Sequence, residues 1–223
     1  VLAVFQQWCG INTIFNYAEE IFKAAGYDIS DILGKIAWTG SVNLAFTFVA
    51  LGTVDRLGRR PLMLLGAAGL AIIYAIVGLC YHEGVTGLPM LLLVLSAIAC
   101  YSMSLAPVTW VVISEIFPNR IRGAAMAVAV AALWLACFLL TYSFPILNKG
   151  MGEPDTPFKQ LLEKIAPWLK TGLGPSGTFW LYAVICVLGF GFIWRKLPET
   201  KGRTLEQIEA DLVGDSKIAP PRS

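Results

Sequence analysis

The stretch FQQWCGINTIFNY, Phe5 to Tyr17, sets two adjacent glutamines, Gln6 and Gln7, and two asparagines, Asn12 and Asn16, inside an otherwise apolar run. Read as a helix of about 100° per residue, it puts Gln6, Gly10, Thr13 and Tyr17 on one face. Gln7 falls to one side of that face, and Asn12 and Asn16 to the other. An unbroken helix therefore cannot aim all four amides at one point. Gly10 offers a place to unwind, and broken helices lining a polar cavity recur in membrane transporters. Polar groups inside a bilayer are costly unless they pair or face water. The competing reading is that these amides join helices by interhelical hydrogen bonds. Four of them within eleven residues favour the cavity.

The whole chain supports a membrane setting. Of its 223 residues, 57% are hydrophobic and only 14% charged, with a mean hydropathy of +0.67. Soluble domains are apolar to about 45–50% and charged to about 25%. The net charge is +2 and no Lys/Arg-rich block suggests nucleic acid. A single histidine, His82, excludes a multi-histidine metal site, and the five cysteines sit in apolar stretches with no metal-ligand spacing, as packing residues do. No initiator Met or leader opens the chain, so it reads as cut from something longer.

Six apolar stretches, about 1–25, 33–54, 61–82, 88–113, 122–146 and 177–197, are each long enough to cross a bilayer as a helix. They do not alternate as barrel strands would. The fold expected is all-helical: a six-helix transmembrane bundle over 1–197 and a cytoplasmic tail over 198–223. DRLGRRP (55–61), EIFPNRIRG (115–123) and RKLPETKGR (195–203) are rich in arginine and lysine, and they alternate with poorer loops at 26–32, 83–87 and 147–176. The positive-inside rule assigns the basic set, and with it both ends of the chain, to the cytoplasm. Residues 157–170 read as an amphipathic interfacial helix within the outer loop. Residues 198–213 read as a cytoplasmic helix capped by Thr204, and the last ten as disordered.

Other polar or bulky residues stand out within the spans. Asn43 is one more amide in mid-span, as readily helix glue as ligand contact. Pro107 removes a backbone donor and bends its helix. Trp110 and Trp134 lie deep, although membrane tryptophans favour the interfaces; each suits helix packing, or the C–H face of a sugar with an N–H donor to spare. Asp55, Arg56, Arg59, Arg60, Glu115, Arg120 and Arg122 gather at neighbouring span ends. Arg120 reads as topology signal and solvated charge. Glu115, an acid before a turn with arginines on both loops, could form an ion-pair network that holds this side shut and breaks when the bundle rocks. No acid lies deep in a span, no Ser/His/Asp set assembles and no phosphate-binding GxxxxGK[ST] is present, so an enzyme is not expected.

In order and spacing, QQWCGIN (6–12), DRLGRR (55–60), PVTWVVISEIFPNRIRG (107–123) and PETKG (198–202) resemble motifs of the sugar porter family of the major facilitator superfamily, nearest its bacterial D-xylose/proton symporters. The resemblance covers nearly the whole chain and implies the carboxyl-terminal half of a twelve-helix fold, beginning within the seventh helix. It implies that Gln6, Gln7, Asn12 and Asn43 bond sugar hydroxyls, that Trp110 stacks near the sugar and that Trp134 is a further site residue. Arg59, Glu115 and Arg122 match a cytoplasmic charge network, with Glu199 at its periphery. Three positions depart from the pattern: Leu133 where Asn or Gln is common, Asn16 where Tyr is common and Ala106 where Gly is usual.

The expectation is alternating-access transport of a pentose or hexose, proton-coupled, in the cell membrane. No cofactor is expected beyond a proton as coupling ion. The coupling acid of such symporters lies on the first helix, outside this chain. The expected partners are the monosaccharide, the bilayer and the amino-terminal six-helix half. The alternatives are a sugar receptor without flux, which usually carries a longer cytoplasmic tail, and a porter for another polyol such as inositol, which Leu133 keeps open.

Overall fold

Every backbone amide inside a bilayer needs a partner, which leaves helices as the economical solution for apolar stretches such as these. The computed structural model describes residues 1–24, 29–117, 121–150, 164, 172–197, 199 and 201, with side chains described for all of these except 24–33 and Asp55. Among the described residues there are nine helices: α1 (Leu2–Trp8), α2 (Ile11–Asn16), α3 (Ala18–Ala24), α4 (Ile29–Leu57), α5 (Arg59–His82), α6 (Leu88–Met103), α7 (Leu105–Ile116), α8 (Arg122–Lys149) and α9 (Gly174–Lys196). Five helical stretches are long and apolar enough to cross a membrane: Gly34–Val54, Arg59–His82, Leu88–Ile116, Arg122–Lys149 and Gly174–Lys196. No strand occurs among the described residues.

The first expected span, 1–25, is three short helices rather than one. Its first break falls at the expected glycine: Gly10 adopts φ +89°, in the left-handed region. The backbone stays bonded around the break, with the Cys9 N–H on Phe5 (2.9 Å), the Gly10 N–H on Gln7 (3.4 Å) and the Thr13 N–H on Gly10 (3.1 Å). A second, milder distortion at Tyr17 was not expected.

The expected span 88–113 is also two helices. Pro107 brings no N–H to the carbonyl four residues back, Met103, and its ring crowds that carbonyl. The helix accordingly ends at Met103 and restarts beyond Ser104, whose φ and ψ are −125° and −84°. By contrast, Pro145 sits inside α8 without ending it. The connection expected over 147–176 is shorter, because α8 runs on to Lys149 and α9 begins at Gly174. Apart from Lys164, the amphipathic stretch 157–170 lies outside the described residues. So do the tail helix 198–213, except Glu199 and Lys201, and the final ten residues.

Small residues let the helices close on one another, as they do where lipid removes the hydrophobic drive for association. Gly66 of α5 faces Ser104 and Leu105, and Gly78 admits the Trp180 ring of α9. Trp180 Nε1 donates to the Ala75 carbonyl at 3.3 Å. Tyr74, Phe179 and Tyr182 pack between the same two helices, with ring centroids 5.8 and 6.3 Å from Tyr74. The cysteines are free thiols, with Cys9 and Cys186 fully buried.

Candidate functional site

The structure parts the opening amides into three groups. Gln7 and Asn12, on opposite sides of the Gly10 break, come together: Asn12 Nδ2 donates to Gln7 Oε1. The unwound turn makes this pairing, since an intact helix would point the two apart. Gln6 turns the other way, and its Nε2 donates to the carbonyls of Leu105 (3.3 Å) and Ala106 (3.1 Å). Asn16 is exposed and donates to Thr141 Oγ1 at 3.3 Å. Gln6 and Asn16 thus act as interhelical links in this conformation, the less favoured of the two readings that the sequence allows.

The break is held from α9. A Cβ on Gly10 would lie 2.6 Å from Tyr182 Cδ2, so only glycine lets the ring sit there. The Tyr182 hydroxyl then pairs with Thr13 Oγ1 at 3.1 Å, on the far side of the break.

Asn43 is half-buried on α4, and its Oδ1 accepts from Ser102 Oγ at 2.5 Å. Trp110 and Trp134 present 41% and 65% of their surfaces, so both indoles remain available to something beyond this bundle. Leu133 is buried with Ala3 and Ile113 between α8, α1 and α7, so an amide at that position would be costly here without a partner. An apolar groove of about 410 Å³ opens beside Leu2, Ile113, Phe117, Ala125 and Phe192, and none of the amides lines it.

The expected charge network is partly assembled. Arg59 Nη2 pairs with Glu115 Oε1 at 3.1 Å, with the two side chains 15% and 25% exposed. Arg122 Nε donates to the Phe117 carbonyl at 3.3 Å, and Arg60 Nη2 to the Trp194 carbonyl at 2.5 Å. Arg56 is exposed, and its carbonyl accepts from Lys201 Nζ at 2.5 Å. The side chain of Asp55, and all of Arg120, lie outside the described set.

Glu199 joins the cluster through backbone donors. Its carboxylate accepts the backbone N–H groups of Arg59 (3.0 Å) and Arg60 (3.1 Å), and that of Lys201 (2.9 Å). Gly58, the residue before α5, has no side chain to cap these donors. The carboxylate supplies the missing cap from the far end of the chain, at the positive end of the helix dipole.

Sequence reasoning missed Ser102, Thr141 and Tyr182. Thr141 takes the Tyr17 hydroxyl on its carbonyl at 3.0 Å as well as Asn16 on its hydroxyl. Each is a polar group within an apolar stretch, which is a usable signal, but no periodicity says which helix it meets.

The sugar (and other) transporter family model matches residues 1–212. The D-xylose-proton symporter of Escherichia coli (strain K12) is 40% identical over 94% of this chain and 40% of its own length. The glucose facilitated diffusion protein of Zymomonas mobilis is 37% identical over 93% of this chain and 41% of its own. Among solved structures, a major facilitator superfamily proton:xylose symporter bound to 6-bromo-6-deoxy-D-glucose matches with a TM-score of 0.77 at 38% identity, covering 95% of this chain and 41% of the other. The chain spans about 40% of the length of these relatives. It belongs to the sugar transporter family and folds as part of a major facilitator bundle.

Proposed function

We propose that this chain is the carboxyl-terminal half of a transporter that carries a pentose or hexose across the cell membrane by alternating access, coupled to protons. The observation that carries the reading is the Gln7–Asn12 amide pair set at a helix break, in a chain 40% identical to a D-xylose-proton symporter. Carboxamides both donate and accept, so they can exchange bonds with sugar hydroxyls that give up water. In this reading Gln6, Gln7, Asn12 and Asn43 bond the hydroxyls, Asn16 adds an amide of this protein's own, and Trp110 and Trp134 cover the ring. The Arg59–Glu115 pair, with Asp55, Arg56, Arg60, Arg122 and Glu199 around it, latches the cytoplasmic side. An amino-terminal six-helix half completes the cavity, and both ends of this chain face the cytoplasm, as the positive-inside rule favours.

The test is D-xylose and D-glucose binding to the protein expressed from its complete gene. Gln7→Ala and Asn12→Ala should each weaken binding several-fold, about 1 kcal/mol per lost hydrogen bond. Unchanged affinity in both variants overturns the site. Uptake into proteoliposomes separates a porter from a receptor, because a receptor binds without accumulating sugar.

A further inference from the structure

One face of the α5–α9 pair is left open by the rest of the bundle, with Ile72 and Ile76 of α5 and Val187 and Leu188 of α9 exposed on it. Trp180 and Trp194 of α9, 41% and 59% exposed, stand at its two ends. At 100° and 1.5 Å per residue they share one stripe of the helix and lie about 21 Å apart. Tryptophans that bracket an apolar stripe in this way mark a surface turned to lipid, one at each membrane interface.

This face is not flat. Ala68, Ala71 and Ile72 of α5 and Val187 and Phe190 of α9 line an apolar groove of about 220 Å³ between the two helices. Toward the basic end of the pair, Arg60 stands on the helical stripe of Ala71, and the exposed Arg195 on that of Leu188. Arg60 Nη2 donates to the Trp194 carbonyl at 2.5 Å, which sets it against the residue that precedes Arg195. Among the described residues no carboxylate forms an ion pair with either arginine. Glu199, the nearby acid, takes backbone N–H groups instead. Counted along the helices, the groove lies about 8–18 Å from these arginines, comparable with the roughly 15 Å of hydrocarbon in one leaflet.

We propose that this face binds one anionic phospholipid, with its phosphate at Arg60 and Arg195 and an acyl chain in the groove between α5 and α9. Guanidinium groups present forked donors that match phosphate oxygens, and the Trp194 indole sits at headgroup level beside them. The occupant follows from the two ends of the site taken together. Two arginines select a negative headgroup, and a hollow lined only by apolar side chains selects a hydrocarbon chain. General attraction of basic residues to an anionic surface would need neither the groove nor this stripe. Lys196, next to Arg195 in sequence, separates the two cases, because it lines the other groove, on the far side of α9, with Leu2 and Phe117.

The test uses the protein expressed from its complete gene, in proteoliposomes of equal phosphatidylglycerol and phosphatidylcholine. The photocrosslinker p-benzoylphenylalanine in place of Ile72, or of Val187 if the first variant does not fold, should capture phosphatidylglycerol over phosphatidylcholine by about fivefold or more. The same probe in place of Leu79, exposed near the far end of α5, should capture the two lipids equally. Arg195→Gln, alone or with Arg60→Gln, should bring the ratio at the groove back toward that at Leu79. Lys196→Gln should leave it unchanged. Equal capture of the two lipids at the groove, or the same drop in Lys196→Gln as in Arg195→Gln, overturns the site and leaves only general surface charge. Capture of protein in place of lipid at both Ile72 and Val187 overturns it as well, because another part of the transporter then covers this face.

Discussion

Residues 1–24 and α5 (Arg59–His82) are of equal length and both rich in apolar residues, yet one is three helices and the other is a single unbroken one. Glycine content does not separate them. α5 carries Gly66, Gly69 and Gly78 and keeps its helix, because these glycines admit Ser104, Cys100 and Trp180 from neighbouring helices. Gly10 instead turns left-handed, with the Tyr182 ring filling the space a side chain would need. Around the Gly10 break the backbone keeps bonds of its own, from the Gly10 N–H to Gln7 and from the Thr13 N–H to Gly10, so little polar backbone is stranded when the helix breaks. A helix in lipid breaks where alternative hydrogen bonds are at hand, and glycine only permits it.

The largest effect that tests this contrast is Gly10→Ala. A left-handed φ and contact with Tyr182 together should cost about 2–4 kcal/mol in SDS-titration unfolding. Gly66→Ala keeps ordinary helical angles and only crowds Ser104, so about 1–3 kcal/mol is expected. Equal losses in the two variants would break the contrast between conformational and packing glycines. Next comes Glu199→Ala, which uncaps α5 and should cost about 1–2 kcal/mol, with Glu199→Gln losing less; no loss would mean that α5 starts as well without its distant cap. A double-mutant cycle on Arg59 and Glu115 should give a coupling of about 1 kcal/mol or less, reduced by high salt because the pair is partly solvated. Smallest is Asn16→Ala, at a few tenths of a kcal/mol for an exposed, long hydrogen bond. A larger stability loss there would make Asn16 a structural link and weaken its place in sugar selection.

Local chemistry was legible in the order of residues. The helical angle alone showed that four amides could not converge, which pointed to Gly10. Pro107 announced a bend, and the break at Ser104 follows from the carbonyl its ring displaces. Glu115 before its turn suggested an ion pair, and Arg59 supplies it. Less was legible wherever a group needed a partner from elsewhere. Gln6 bonds residues about a hundred positions away, and it reads as a cavity amide until α7 is seen beside it. Glu199 matches the network's edge by resemblance, and only the fold shows its carboxylate on the bare amino end of α5. Leu133 stands where Asn or Gln is common, and only the fold shows it packed against Ala3 and Ile113.

By itself, then, the sequence determined a helical membrane bundle and two of the places where its helices break, at Gly10 and before Pro107, because composition and local sterics act on one segment at a time. The tertiary structure alone decided how the amides were shared out: Gln7 to Asn12, Gln6 to the α7 carbonyls, Asn16 to Thr141. The physical reason lies in the solvent. Lipid is as apolar as a protein interior, so these helices are hydrophobic nearly all round, and no periodic pattern marks the face that meets a neighbour. Only the packing of small residues brings particular faces together, and only then does each polar group acquire its partner.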